Sequence, residues 1–268
     1  MILLPPRCLW NSTELQHVIP GDLSMRFLLL LPLLLWSGPA LADRLREPRL
    51  TIAPGGVDHP QVALTLDACM GNTDPRILDV LVENRIPATI FVTARWLVRN
   101  EAAVKVLLAH PDLFELENHG AEHVPAVLGD KPVYGINPAG TLTAINAEIA
   151  GGETALFHAT GVRAGWYRDA TALYSPEALT LVRHLGLKVA GYSVNGDQGA
   201  SLLAATAAHR IAGAHDGDVI IAHINQPKRA AGEGVAAGIL ALKARGFTFV
   251  RLEDVTTFGD DGELAQLK

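Results

Sequence analysis

Two histidines with metal-ligand spacing, His119 and His123, stand in the sequence His-Gly-Ala-Glu-His directly after a predicted strand. If this segment is helical, the two imidazoles lie one turn apart on one face and can share a divalent metal ion. The alternative is a pair of solvated histidines on a surface turn, because the spacing alone is not specific. Their position at the end of a strand favours the metal site.

Asp67 and His223 each follow directly on a predicted apolar strand, residues 62–66 and 219–222 respectively. A lone carboxylate after a strand is often only a cap, but in a parallel barrel the carboxyl ends of the strands form the catalytic rim. A carboxylate and a third histidine near two metal-spaced histidines predict a metal-assisted hydrolase site.

The elements that must position these residues are short apolar runs alternating with helical patterns, which is typical of parallel β/α units. Strands are predicted at 62–66, 88–92, 113–116, 164–167, 187–190, 219–222 and 247–250, and helices near 75–83, 101–109, 141–158, 175–185, 201–212 and 232–244. We therefore predict an α/β fold, a single domain with an irregular (β/α)7-type barrel. An open doubly wound sheet would give nearly the same pattern, and periodicity does not decide between the two. The Pro- and Gly-rich stretch 124–140 is predicted to be a long functional loop.

The first 42 residues are predicted to lie outside this domain. Residues 25–42 have one arginine, an apolar run at 27–36 and small residues at 40 and 42, the layout of a secretory signal peptide. The apolar run is about half the roughly 20 residues that a membrane span needs. Residues 1–24 are interpreted as a mis-assigned start, with a genuine unstructured extension as the alternative. Residues 43–268 then form an exported domain, periplasmic or extracellular, without a membrane span after cleavage.

The charge and cysteine content restrict the partners. The net charge is −6 and the chain has no Lys/Arg cluster, which argues against nucleic acid or an anionic membrane as the partner. Of the two cysteines, Cys8 lies before the predicted signal peptide and only Cys69 belongs to the mature domain. An internal disulfide is therefore not expected.

Five segments match known motifs in chain order: Thr65-Leu66-Asp67-Ala68-Cys69, Glu117-Asn118-His119-Gly120-Ala121-Glu122-His123, Trp166-Tyr167-Arg168-Asp169, Asp197 and Ile221-Ala222-His223. With them the chain resembles the polysaccharide deacetylases, the family 4 carbohydrate esterases, from Val62 to Leu252. It departs from the family pattern in three places. Ala68 replaces the second Asp of the Asp-Asp pair, the proline expected after Arg168 is missing, and so is the tryptophan expected after Asp197.

The resemblance implies a barrel fold and a hydrolase of non-peptide carbon–nitrogen bonds that removes N-acetyl or O-acetyl groups from a glycan, either peptidoglycan or an exopolysaccharide. It implies a divalent metal, expected to be zinc, on His119 and His123, with Asp67 as general base. His223 would be the general acid. Arg168 would orient Asp67 and keep it ionised, and Asp197 would favour the charged form of His223.

The third metal ligand is open, because the methyl group of Ala68 cannot ligate a metal. Asp74 is a hard carboxylate on the following loop, although it is also the expected N-cap of the helix that starts at Pro75. Asp67 ranks equally with Asp74, and Cys69, a soft ligand suited to zinc, ranks below both. The alternatives to a deacetylase are a related amidase with a small non-polymeric substrate and a metal-free pseudoenzyme that only binds glycan. A generic α/β domain whose strand-end residues are only caps is a further, less favoured reading.

Overall fold

The computed structural model describes residues 45–259 and 263–264. The predicted extension 1–24, the predicted signal peptide 25–42 and the predicted start of the mature domain at residue 43 lie outside these residues. No helix in the described ranges is long and apolar enough to cross a membrane.

Twelve strands and seven α-helices make up the described chain. The strands are β1 (Arg46–Glu47), β2 (Leu50–Ile52), β3 (Gln61–Ala68), β4 (Ala88–Val92), β5 (Phe114–Asn118), β6 (Trp166–Tyr167), β7 (Lys188–Val189), β8 (Val194–Asn195), β9 (Val219–His223), β10 (Thr248–Val250), β11 (Thr257–Gly259) and β12 (Glu263–Leu264). The helices are α1 (Pro75–Glu83), α2 (Ala94–Arg99), α3 (Glu101–Ala109), α4 (Leu142–Thr160), α5 (Pro176–His184), α6 (Ala204–Ala212) and α7 (Ala231–Ala244).

A curved parallel sheet with helices against it forms a half-barrel, which confirms the predicted α/β class. The strand order is β7-β6-β5-β4-β3-β9-β8, and β10 pairs in parallel with the first residues of β3. In the described chain the end strands β7 and β8 do not pair with each other. The register places Asp67 opposite His223 and Asn118 opposite Tyr167. The carboxyl ends of β3, β5, β6 and β9 therefore lie along the same edge of the sheet.

Strand β3 lies in the middle of the sheet and separates two environments. Its residues 62, 64, 66 and 68 pack with the helices in the main apolar core, whereas Ala63 belongs to a smaller cluster inside the half-barrel with Phe91 and Trp166. Successive side chains of a strand point to opposite faces. Asp67 therefore lies on the inner face, whereas Ala68 points outward into the helix layer.

The sequence did not predict α2 or β8, and it placed the start of α6 too early. Helix α2 has only six residues, too few for a clear period, and it begins where Thr93 Oγ1 accepts the Trp96 N–H at 3.0 Å. Helix α6 begins at residue 204 rather than 201, because residues 197–203 form a turn with positive φ at Gln198 and Ala200.

The predicted loop at 124–140 is confirmed as a non-helical segment, and its own backbone hydrogen bonds hold it together. The Gly140 N–H donates to the Val127 carbonyl at 2.9 Å, and the Gly129 N–H donates to Gly140 at 3.0 Å. The side chains of Val127 and Val133 are buried with Leu45 and Leu173.

Candidate active site

Asp67 and Arg168 form a buried ion pair at the centre of the half-barrel. Arg168 Nη1 donates to Asp67 Oδ1 at 2.9 Å and to Thr65 Oγ1 at 2.8 Å. The remaining guanidinium nitrogens donate to the carbonyls of Ala190 and Gly191, and the group stacks on Phe91 with 4.3 Å between Cζ and the ring centre. Burial alone would raise the pKa of Asp67, but the Arg168 charge holds this pKa below its ordinary value. Asp67 is thus kept as a carboxylate.

His119 follows β5, and a hydrogen bond at its ring nitrogen Nδ1 fixes the imidazole. Its Nδ1 lies 2.8 Å from the carbonyl oxygen of Arg168, an acceptor, so Nδ1 carries a proton and donates it. Its Nε2 then faces the site, 3.6 Å from Cys69 Sγ and 3.9 Å from Asp67 Oδ2. Burial alone would lower the pKa of His119, but the Asp67 carboxylate and the Cys69 sulphur raise it to about 9. This ring is oriented as a metal ligand.

The segment from His119 to His123 is a tight turn rather than the helix that would set the two histidines one turn apart on one face. Gly120 has φ +86° and His123 has φ 64°, and both values belong to the left-handed region. The turn nevertheless brings the two imidazoles together, with ring centres 5.1 Å apart and planes inclined by 69°. The two histidines therefore meet as predicted, but by a different local structure.

Cys69 completes the set of donor atoms. Within the described residues, one group of three offers ligand atoms that all lie within 4.8 Å of one another, namely Cys69, His119 and His123. Cys69 directly follows β3 and its sulphur faces the two histidines, whereas Ala68 before it is fully buried toward the helices. Burial alone would raise the pKa of the Cys69 thiol, but the three neighbouring histidines at 119, 123 and 223 hold it well below its usual range.

Asp74 is not brought into this group, and the preference for it as third ligand is not supported. It is the N-cap of α1, where Oδ1 accepts the Arg76 N–H at 3.1 Å and the Arg76 Nε at 2.9 Å. Its Oδ2 accepts from Arg76 Nη2 at 2.5 Å. Both carboxylate oxygens of Asp74 thus accept hydrogen bonds from Arg76 at the start of α1. This is the helix-capping role that the sequence offered as the alternative to metal binding.

His223 and Asp197 form a second polar pair on the other side of Asp67. His223 Nδ1 lies 2.9 Å from Asp197 Oδ1, and the His223 N–H donates to Asp197 Oδ2 at 2.7 Å. Burial alone would lower the pKa of His223, but the Asp197 carboxylate keeps it well above its ordinary value. The His223 side chain retains 16% exposure, whereas Asp197 is almost fully buried. The pair presents a charged imidazole to the open side of the site.

Two further buried residues hold the turns that carry the ligands. With its amide oxygen turned inward, Asn225 accepts the N–H groups of Cys69, Met70 and Gly71 at 3.2–3.3 Å, and its amide nitrogen donates to the Asp67 carbonyl. Glu148 of α4 accepts the N–H groups of Glu122 and Val124. Sequence reasoning missed both. The only sequence signal for Glu148 was an acidic residue inside the apolar stripe of a predicted helix.

The donor set fits a zinc ion. One thiolate and two imidazoles are common zinc ligands, and three protein ligands leave a fourth position for water or substrate. Neither ring nitrogen of His123 has a hydrogen-bond partner among the described residues, although both are buried. A bound metal ion would satisfy one of these two nitrogens.

Sequence comparison agrees with the motifs and the half-barrel. The family profile described as polysaccharide deacetylase matches residues 55–190. This chain belongs to the polysaccharide deacetylase family. No protein of curated function matches it in sequence.

Solved structures of family 4 carbohydrate esterases share the fold of this deacetylase-family chain. One is described as a family pseudoenzyme from Bacillus anthracis (TM-score 0.61, 19% identity, 76% of this chain and 67% of that chain). A second is a peptidoglycan deacetylase from Bacillus subtilis (TM-score 0.58, 20% identity, 74% and 90%). A third is the Streptomyces lividans esterase in complex with acetate (TM-score 0.55, 18% identity, 74% and 93%). At these identities the likeness supports the fold alone.

Proposed function

We propose that this chain is an exported, metal-dependent hydrolase that removes acetyl groups, N-linked or O-linked, from a glycan. One observation carries the proposal: the Cys69, His119 and His123 donor atoms lie within 4.8 Å of one another, beside the ion-paired carboxylate of Asp67. A metal-assisted hydrolytic site combines a Lewis acid, a base and an acid in one place. Family membership supports deacetylation as the reaction.

Asp67 is the general base in this proposal. When bound, a zinc ion polarises the acetyl carbonyl and lowers the pKa of water toward neutrality. Asp67 takes a proton from the attacking water through Oδ2, because Oδ1 is bound by Arg168. Arg168 keeps the carboxylate ionised and fixes its orientation, and it does not contact the substrate itself.

His223 is the general acid. Its Nδ1 faces Asp197, which leaves Nε2 for the departing group. As the carbon–nitrogen bond of the acetamide breaks, Nε2 gives its proton to the amine nitrogen. The products are acetate and a glycan amine, and the proton gained by Asp67 balances the one lost by His223. For an O-acetyl group the same proton goes to the departing alcohol oxygen.

The proposed substrate and location rest on the predicted signal peptide and on the family. An exported deacetylase meets acetylated cell-wall or exopolysaccharide glycans, and one structural relative is described as a peptidoglycan deacetylase. The loop 124–140 is tied to the site because the Ala126 N–H donates to Asp169, next to Arg168. We therefore propose peptidoglycan or an exopolysaccharide as the substrate and this loop as one wall of the cleft.

A metal-free pseudoenzyme that binds glycan is the second candidate. It is favoured by Ala68, which replaces the second aspartate of the family pair, and by the fold shared with a described pseudoenzyme. A related amidase with a small substrate is the third candidate, suggested by the altered motifs around Arg168 and Asp197.

The experiment measures metal content together with acetate release. The purified protein is analysed for bound zinc and then assayed on chitooligosaccharides, on peptidoglycan and on small N-acetyl amides, with and without a chelator. One zinc per chain and chelator-sensitive acetate release from a glycan are expected. Glycan binding without zinc or release would replace the proposal with the pseudoenzyme, and release from small amides alone would replace it with the amidase.

A further inference from the structure

The two histidine ligands differ in how their rings are held. Metal-bound histidines usually donate their other ring nitrogen to an acceptor that fixes the ring. His119 does so through the Arg168 carbonyl at 2.8 Å. His123 does not, because neither of its ring nitrogens has a hydrogen-bond partner in the described chain. The position of the His123 ring therefore depends on its backbone.

That backbone has an unfavourable conformation that needs support. His123 has φ 64°, a left-handed value that is uncommon for a residue with a Cβ. The N–H groups on both sides of His123 donate to one atom, Glu148 Oε1, at 2.9 Å from Glu122 and 3.2 Å from Val124. A single side chain thus clamps the three-residue turn.

Glu148 occupies a position that an apolar residue would otherwise fill. It lies among the buried residues of α4, between Ile145 and Ile149, and is itself only 7% exposed. A buried carboxylate is costly unless hydrogen-bond donors surround it. Here the donors are the backbone N–H groups of the His119–His123 turn and its neighbour Val124, so Glu148 and the turn stabilise each other.

Helix α4 and the His119–His123 turn approach each other closely because each has a glycine at the contact. A Cβ on Gly152 would lie 2.2 Å from Asn118 Oδ1, and a Cβ on Gly120 would lie 2.4 Å from Glu148 Oε1. Asn118 Nδ2 also donates to the Ile149 carbonyl at 2.9 Å. The helix and the turn therefore form one tightly packed unit.

We propose that Glu148 is a positioning residue, which sets the affinity of the metal site by holding His123 through its backbone. This inference rests on the proposed function, because it takes His123 to be a metal ligand. Glu148 contacts neither the metal position nor the substrate in this proposal.

The test compares zinc affinity, measured by competition with a chromogenic chelator, in the wild type and in Glu148 variants. Loss of an outer-shell partner lowers metal affinity by about 10–100-fold, and we expect a loss in this range for Glu148→Ala. Glu148→Gln keeps an acceptor oxygen of the same reach and should bind zinc nearly as well as the wild type. Glu148→Asp is one methylene too short and should bind zinc weakly while retaining the charge.

Glu153→Ala is the matched control. Glu153 lies on the same helix and its carboxylate also accepts a backbone N–H, that of Ala164, which lies away from the ligand turn. Thermal unfolding of each metal-free variant reports the loss of stability separately from zinc affinity. Wild-type affinity in both Glu148→Ala and Glu148→Asp, or an equal loss in Glu153→Ala, would overturn the inference. A wild-type protein that binds no zinc would instead overturn the proposed metal site, and this inference with it.

Discussion

Cys69 follows the last residue of β3, and its Sγ lies 3.6 Å from His119 Nε2, whereas Ala68 points into the helix layer. Replacing the expected aspartate with alanine thus leaves the site with a donor from the next residue. As the proposed third ligand, Cys69 would exchange a hard oxygen ligand for a soft sulphur ligand, which favours zinc over magnesium or calcium. At the scale of single residues, the candidate third donor follows from which side chain faces the two histidines and not from the motif letters.

Cys69→Ser is expected to weaken zinc binding, because a serine hydroxyl is a poor zinc ligand. The loss of zinc affinity should exceed the roughly 10–100-fold that follows from removal of an outer-shell partner. Asp74→Asn is the control, since asparagine also caps helices and Asp74 is bound to Arg76. Zinc affinity is measured by competition, and cobalt substitution should give a thiolate charge-transfer band only when Cys69 is present. Equal affinity for Cys69→Ser and the wild type would contradict the assignment.

His223→Ala is expected to keep the bound zinc and to lower kcat by about 10²–10⁴-fold, the usual contribution of a general acid. The side chain of His223 is bound to Asp197 and is not one of the three donors of the metal group. Metal content and the rate of acetate release are measured on the same preparation. Turnover equal to the wild type would contradict the acid role.

Helix α4 supports the candidate site although none of the candidate metal ligands lies on this helix. Glycine in a helix interior costs about 1 kcal/mol relative to alanine. Nevertheless, the adjacent residues Gly151 and Gly152 lie in the middle of α4, where the turn that carries His119 and His123 packs against them. The close approach lets Glu148 and the Ile149 carbonyl reach that turn.

Gly152→Ala is expected to destabilise the protein and weaken zinc binding, although alanine is the better helix former. The added Cβ would lie 2.2 Å from Asn118 Oδ1 and 2.7 Å from the Gly120 carbonyl carbon, so the turn must move. At Gly151 the nearest neighbour is the Ala121 methyl at 2.9 Å, and Gly151→Ala should be milder. Thermal unfolding and zinc competition check both variants. A stabilised Gly152→Ala with unchanged affinity would refute the packing argument.

At the scale of the whole molecule, the apolar runs of the buried parallel strands predicted the α/β class and seven of the strands, whereas the family resemblance and not the periodicity predicted the barrel. The sequence also singled out Asp67, His119, His123 and His223, which the structure brings to one edge of the sheet. It did not identify the role of Glu148 or rank Cys69 first. Those roles depend on which helix packs against which turn and on the face to which each side chain points. Asp74 was singled out as well, but both of its carboxylate oxygens accept from Arg76 and it lies outside the group of three donors.

The two neighbouring glutamates of β5 should make global stability depend on pH. Burial raises the pKa of Glu115, and both burial and the charge of Glu115 raise that of Glu117 to about 9. The folded protein then holds a proton that the unfolded chain releases above pH 4.5. The contribution of this proton to stability is complete below pH 4.5. The free energy of unfolding then falls by up to about 1.4 kcal/mol per pH unit as the pH rises toward 9.

Glu115→Gln should flatten this dependence, because it removes the neighbouring carboxylate charge that helps to raise the pKa of Glu117. The slope of the unfolding free energy against pH is measured by chemical denaturation at several values between about pH 5 and 9. In this window the folded and unfolded states differ by one bound proton. Glu101→Gln, an exposed change at the start of α3, is the control and should leave the slope unchanged. A variant slope equal to that of the wild type would contradict this contribution of Glu115 to the pKa of Glu117.

The thiolate ligand also makes the site vulnerable to oxidation in a way that a carboxylate ligand would not. Hydrogen peroxide converts a thiolate to a sulfenic acid and is itself reduced to water, and the oxidised sulphur no longer holds zinc. Cys69 is 7% exposed, so small oxidants reach it more readily than large alkylating reagents. We expect peroxide to release zinc and a thiol reductant to restore binding, followed with a chromogenic chelator. Cys69→Asp should retain its metal under the same treatment.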